Sequence, residues 1–186
     1  MDAIKLHDRS LEATTAIVAN VKAKQFDSST PCSEFDVKAL LNHMIGGNFM
    51  FVDVAQGKQV SRGEAPPDLV GADHVASYRG SADAVSQAWN DPGVLGKTVH
   101  LPFGDFPGQV AIGIHLVETL VHGWDLAKAT GQPTTLDPEL TAFAWENVKD
   151  LADSFRGPGA PFGLAVDVAA GAPATDRLVA WLGRTP

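Results

Sequence analysis

The chain has 186 residues, 45% of them hydrophobic and 19% charged, a composition that fits one folded domain with a sizeable core and excludes wholesale disorder. A formal net charge of -8, with no block of Lys or Arg, excludes nucleic acid and anionic membranes as expected partners. The one cysteine, Cys32, excludes an internal disulfide, and with neither a signal-peptide core nor a membrane-length apolar run the protein is expected to be cytoplasmic.

Residues 2–24 carry Ile4, Leu11, Ile17, Val18 and Val21 at mostly helical spacing and predict an amphipathic first helix, with His7 at the surface or an edge. After the turn DSSTP, Ser33 or Asp36 can cap a second helix that Gly57 ends. On that helix His43 shares a face with Leu40, Gly47, Met50, Phe51 and Val54, whereas Lys38, Asn42 and Asp53 lie on the other. His43 is thus predicted to point inward, and Gly46 with Gly47 lets another backbone or a ligand come close. Residues 58–72, rich in Gly, Pro and polar types, read as a loop. Asp73 can cap a third helix, HVASYRGSADAVSQAW, which Asn90-Asp91-Pro92-Gly93 stops. Then TVHLPFGDFPGQV, with Gly104-Asp105 between short apolar runs, predicts a small hairpin or ordered loop, from which His100, Phe103 and Phe106 either roof a site or simply pack.

The segment QVAIGIHLVETLVHGWDLAKA, Gln109 to Ala129, is apolar on nearly every side when wound as a helix. The exception is one stripe of His115, Glu118, His122 and Asp125, which at ~100° per residue fall within about 80° of one another. Such a rod belongs in a core, where a carboxylate among imidazoles must be hydrogen-bonded, paired with charge or bound to a metal. Glu118 and His122 project from consecutive turns, about 6 Å apart along the axis, a spacing at which two side chains hold one ion. His115 stands two turns from His122 and is read as an outer residue of that site. Gly131 and Pro133 end the helix. Asp137-Pro138-Glu139 opens a further helix, LTAFAWENVKDLADSF, and the tail beyond it is irregular except for a short helical stretch near 176–182. With no internal repeat or linker, 1–186 reads as one domain, all-α apart from the hairpin or loop.

Nucleotide-binding glycine loops, a GxSxG elbow and CxxC are all absent from the sequence. Cys32 lies near a helix N-terminus, but no neighbour in sequence offers it a base, so it reads as a structural thiol. The inward His43 and the pair Glu118 and His122 instead form a candidate metal triad, because two inward polar sites in an antiparallel helical array are satisfied together by one ion. Two imidazoles and a carboxylate are the ligand set of a zinc site with an open position, and the same set serves iron, nickel or manganese. A closed structural zinc site would want more cysteines, so the site reads as catalytic, with Asp125 and His115 as candidates for orienting the ligands or handling protons. Several readings follow from the residues. One is an enzyme activating a small thiol, another a hydrolase using metal hydroxide, a third a non-catalytic metal-binding or stress protein, and a fourth a bundle whose seam is satisfied by its own hydrogen bonds.

Two stretches, TPCSEFDVKALLNHMIGGN and, far downstream, HLVETLVHGWDLAKATGQ, resemble the DinB-like superfamily, within it the group related to the N-terminal domain of mycothiol-dependent maleylpyruvate isomerase. The likeness runs from about Leu6 to Phe155 and extends to the tail motif GPGAPFG. It implies a four-helix bundle holding a divalent metal, often zinc, on residues that match His43, Glu118 and His122. It further implies activation of a low-molecular-weight thiol, mycothiol or bacillithiol, for isomerisation or S-transfer on a small electrophile; a small bundle of this kind is expected as a monomer or homodimer. Only about thirty residues follow the last long helix, too few for the isomerase's separate C-terminal domain, so maleylpyruvate itself is not carried over.

Overall fold

In a computed structural model that describes residues 2–60, 67–156 and 162–186, the protein is mostly helical, with seven helices among the described residues and one two-stranded sheet. In chain order they are α1 (Ala3–Asn20), α2 (Val37–Ala55), α3 (His74–Trp89), α4 (Pro92–Leu95), β1 (Thr98–Leu101), β2 (Gly104–Pro107), α5 (Gly108–Thr130), α6 (Pro138–Val148) and α7 (Ala174–Trp181). The expected loop 58–72 lies outside the described residues at 61–66, as does most of the GPGAPFG motif, at 157–161. No helix among the described residues is long and apolar enough to cross a membrane.

Local chemistry accounts for most helix starts. Asp36, Asp73 and Asp137 each accept from backbone N–H groups in the first turn, satisfying donors that have no partner within the helix. The expected turn at Asn90–Gly93 is itself the start of α4, which Asp91 caps through Gly93 N. Gly131 closes α5 in the left-handed conformation at φ 73°, with the next amide returning to Ala127 O. In the hairpin, Thr98 pairs with Pro107 and Leu101 with Gly104, so Pro102 and Phe103 make the turn and Gly104-Asp105 belong to β2.

The helix α5 is the axis of the fold. It packs on α1, α2 and α6, while α3 closes the gap between α1 and α2. One side of α5, through Ala111, Ile112 and Leu126, joins a core shared with Val18 of α1, Leu40 and Phe51 of α2, and Tyr78 and Trp89 of α3. The opposite side, through Leu116, Leu120 and Trp124, joins a second core with Leu140 and Ala144 of α6 and Leu178 and Val179 of α7. An apolar surface all round is what a helix between two cores requires. α1 approaches so closely that a Cβ at Gly123 would lie 2.7 Å from Thr14 Oγ1.

Two expected boundaries differ. The first helix stops at Asn20, since Val21 is extended and a short 3₁₀ turn follows at Ala23–Gln25. α6 stops at Val148 rather than running to Phe155, because a 3₁₀ turn at Ala152–Phe155 buries Ala152 and brings Phe155 against Phe103. The short helical stretch expected near 176–182 is α7, at Ala174–Trp181. α7 packs on α6, and Leu178, Val179 and Leu182 are fully buried.

Candidate metal centre

α2 and α5 run antiparallel, with His43 of α2 against Glu118 and His122 near the middle of α5 and Phe51, further along α2, against the earlier His115. One donor atom from each of His43, Glu118 and His122 lies within 4.8 Å of the others. His43 Nε2 and Glu118 Oε1 face each other at 3.2 Å, and the His43 and His122 rings meet edge to face at 5.1 Å. In a tetrahedral zinc site with bonds of ~2.0–2.2 Å, donors stand ~3.3–3.6 Å apart, so this pair already has a chelating separation. The donor chemistry, two imidazoles and a carboxylate, suits such an ion as well.

The group is not sealed. The side chains of His43 and Glu118 are 37% and 27% exposed, whereas that of His122 is 12% exposed. His43, expected to point inward among core residues, stands instead at the rim, its ring stacked on Phe35 at 4.9 Å. The loop that precedes α2 holds that ring in place, since Thr30 Oγ1 is within hydrogen-bonding distance of both Cys32 O and Phe35 O.

Charges tie the three together. Burial alone would lower His43, but contact with Glu118 and its charge outweigh this and raise it above the ordinary imidazole value. Burial likewise opposes ionisation of Glu118, yet His43, then the neighbouring imidazoles His122 and His115, hold its carboxyl at about 2. Burial lowers His122 despite the carboxylate of Asp125. The site therefore carries a fixed anion, and His122 is a neutral nitrogen donor at neutral pH.

Behind His122 lies a partner absent from every sequence motif. His122 Nδ1 is 3.1 Å from Asp125 Oδ2, and the carboxylate in turn accepts from Arg184 Nη2 at 3.0 Å, with Nε at 3.4 Å. Asp125 is fully buried and Arg184 only 6% exposed. Burial would raise Asp125, but His122 and Arg184 overcome it and keep it below the usual carboxylate range. With the proton on Nδ1 shared toward Asp125, the Nε2 lone pair of His122 is left for the open side. Arg184 comes from the segment after α7, and its Nη1 is anchored on Leu182 O.

Cys32 is also drawn in. Its sulfur lies within 4.8 Å of donor atoms of His122 and Asp125, so the thiol has an imidazole neighbour that sequence proximity did not offer. Burial raises its pKa all the same, and the residue remains a thiol.

His115 lies behind Glu118 rather than at the rim, and His7 lies behind His115. His115 Nδ1 is 2.7 Å from His7 Nε2, and its ring packs on Phe51 at 4.2 Å. Both imidazoles are buried, which corrects the expectation of a surface or edge His7. Neither Asp125 nor His115 presents a group to the surface where a substrate would dock. His100 bonds across the hairpin to Asp105 at 2.7 Å, and Phe103 packs on Phe106 and Phe155. The hairpin joins the start of α5, about 15 Å along the axis from Glu118, so these residues pack rather than roof the site.

The model of the mycothiol maleylpyruvate isomerase N-terminal domain family matches residues 7–127. The matched span includes His43, Glu118, His122 and Asp125, and leaves out Arg184. Two proteins of Mycobacterium tuberculosis, one of strain CDC 1551 / Oshkosh and one of strain ATCC 25618 / H37Rv, both described as uncharacterized, are each 39% identical to this chain. Each alignment runs over 189 residues and covers 100% of this chain and 99% of the relative. No solved structure gives a significant match.

Proposed function

We propose that this chain, which belongs to the mycothiol maleylpyruvate isomerase N-terminal domain family, is a single-domain cytoplasmic enzyme that binds one divalent ion on His43, Glu118 and His122 and uses it to activate a low-molecular-weight thiol. The family is metal-binding and mycothiol-associated, and mycothiol is the first thiol to test. The frame is a DinB-like four-helix bundle of α1, α2, α3 and α5, which sets α2 and α5 side by side. The observation that carries the reading is the convergence of the three donors at a rim that solvent reaches. Zinc is the ion we favour, since two nitrogens and one oxygen with an open position match its catalytic sites.

When bound, such an ion lowers the pKa of a coordinated thiol enough to hold it as a thiolate at neutral pH. The chain's own residues do the rest. Glu118 supplies the one negative charge among the three donors, so an ion held there keeps net positive charge with which to attract an anionic sulfur. Asp125, itself clamped by Arg184, fixes the His122 ring and its tautomer without touching substrate, which makes it a positioning residue. Phe35, stacked on His43, shields that ring from water on one face. The exposed edges of His43 and Glu118 leave the approach through which a thiol and a small electrophile meet.

Elemental analysis of protein purified without a metal-chelating tag tests the reading. Near one equivalent of zinc or another divalent metal is expected in the wild type and almost none in His122→Ala. Titrating the cobalt-substituted protein with mycothiol should then produce sulfur-to-cobalt charge-transfer absorption. Absence of metal in the wild type after reconstitution overturns the metal reading. Metal without that absorption overturns the thiol reading and favours hydroxide chemistry.

A further inference from the structure

Between α2, α3 and α5, directly inside Glu118, lies a small cavity lined by Met44, Gly47, Asn48, Tyr78, His115, Glu118 and Thr119. Five of the seven residues that line it, Asn48, Tyr78, His115, Glu118 and Thr119, carry polar side chains, and a water needs two to four such partners. About 10 Å³ of it is open to the centre of a water molecule, the room that one water needs and no more.

Two neighbouring groups are left without a partner among the described residues. Tyr78, 1% exposed, has the side chains of Asn48 and Thr14 near its hydroxyl but no hydrogen bond of good geometry to either. Burial raises this phenol well above its ordinary range, so it stays a donor. The other is His7 Nδ1. The His7–His115 contact at 2.7 Å joins two imidazoles that burial keeps neutral, so one proton lies between them. If His115 Nδ1 donated that proton, His7 Nδ1 would carry an N–H with no acceptor, and orphaned buried N–H groups are rarer than under-satisfied acceptors. The better arrangement has His7 Nε2 donating to His115 Nδ1. His115 Nε2 then carries its proton, and the cavity that His115 lines is where that donor is left to find an acceptor.

Tyr78, whose hydroxyl is unpartnered, and His115, whose Nε2 carries its proton, therefore both line a space of one water that Glu118 also lines. We propose that a single buried water occupies this cavity, accepting from Tyr78 and His115 and donating to Glu118, so that both residues position Glu118 from behind. A water in that place satisfies two donors with its lone pairs and spends a proton on the carboxylate, with Asn48 and Thr119 at hand for the other. Glu118 would then be held on both sides, by the rim group His43 outside and by the water inside. The proposal rests on the reading of Glu118 as a metal ligand.

High-resolution crystals of the zinc-loaded wild type and of Tyr78→Phe, with zinc affinities measured by chelator competition, test it. In the wild type one ordered water within hydrogen-bonding distance of Tyr78 Oη, His115 Nε2 and Glu118 is expected. Tyr78→Phe keeps the ring and removes only the hydroxyl, and it should lose or displace that water and weaken zinc binding about tenfold, the low end of the effect of outer groups on metal ligands. A dry cavity in the wild type, or a Tyr78→Phe affinity within twofold of the wild type, overturns the proposal. Should Tyr78→Phe not fold, the wild-type water alone decides. Failure of the wild type to bind metal defeats the metal reading itself, and the cavity water, visible in metal-free crystals, still decides this one.

Discussion

His122 and His115 lie seven residues apart on one stripe of α5, yet His122 reaches a rim where His43 and Glu118 are partly exposed, while His115 is sealed against His7 and Phe51. The stripe is chemically continuous and its two ends are not. The opposing helices make the difference. At the His122 end α2 presents a half-exposed imidazole, and at the His115 end it presents Phe51 and α1 presents a buried histidine. The seam therefore meets the rim unequally, His122 directly and His115 only from behind Glu118, according to what faces each across the interface.

The strongest way to break this contrast is from behind. Arg184→Ala leaves Asp125 as a buried carboxylate with only His122 as partner. Removing one member of a buried ion pair costs about 3–5 kcal/mol, so urea or guanidinium unfolding should show a loss of that order. Metal content should fall with it, because His122 loses the brace that fixes its ring. A loss below about 1 kcal/mol would mean that the tail is incidental to the rim.

The sealed end answers to pH. Burial lowers both of its imidazoles from the ordinary 6.5, His115 to about 4. Between those values the unfolded chain binds more protons than the folded one, so stability is full above the unfolded value and falls as the pH is lowered through the window. For His115 alone the loss is on the order of 3 kcal/mol. Denaturation midpoints of the metal-free protein from pH 7 to pH 4 should show that decline, and His115→Leu should flatten it. Equal slopes in the two proteins would show that the sealed pair does not govern acid stability.

Local chemistry explains what was legible in the sequence. α5 stood out because its four polar residues fall on one stripe of an otherwise apolar helix, and Asp36, Asp73 and Asp137 announce the helices they cap. Glu118 and His122 come together because both ride on one helix, and His43 joined them through the face it shares with Leu40 and Phe51. The partners that complete the picture lie far away in sequence. Arg184 is 59 residues from Asp125, and His7 is 108 from His115. No helical period links such positions, and their burial emerges only when α1 and the tail pack on α5. Cys32 shows the same limit, since its imidazole neighbour arrives from a helix beginning at Gly108.

The finest test of the open rim is Gly47→Ala. Gly47 lies inside α2, where alanine is favoured over glycine by about 0.5–1 kcal/mol. A Cβ there would meet Glu118 Oε1 at 3.5 Å, an ordinary van der Waals contact, so the fold has room for it. Thermal or chemical unfolding should then show a gain of about 0.5–1 kcal/mol. The added methyl lies beside the carboxylate on the α2 side of the site. If Gly47 keeps space for an arriving thiol, mycothiol should bind the cobalt form more weakly even as the protein becomes more stable. A variant that is more stable and binds the thiol as well as the wild type would show that the approach runs past His43 instead.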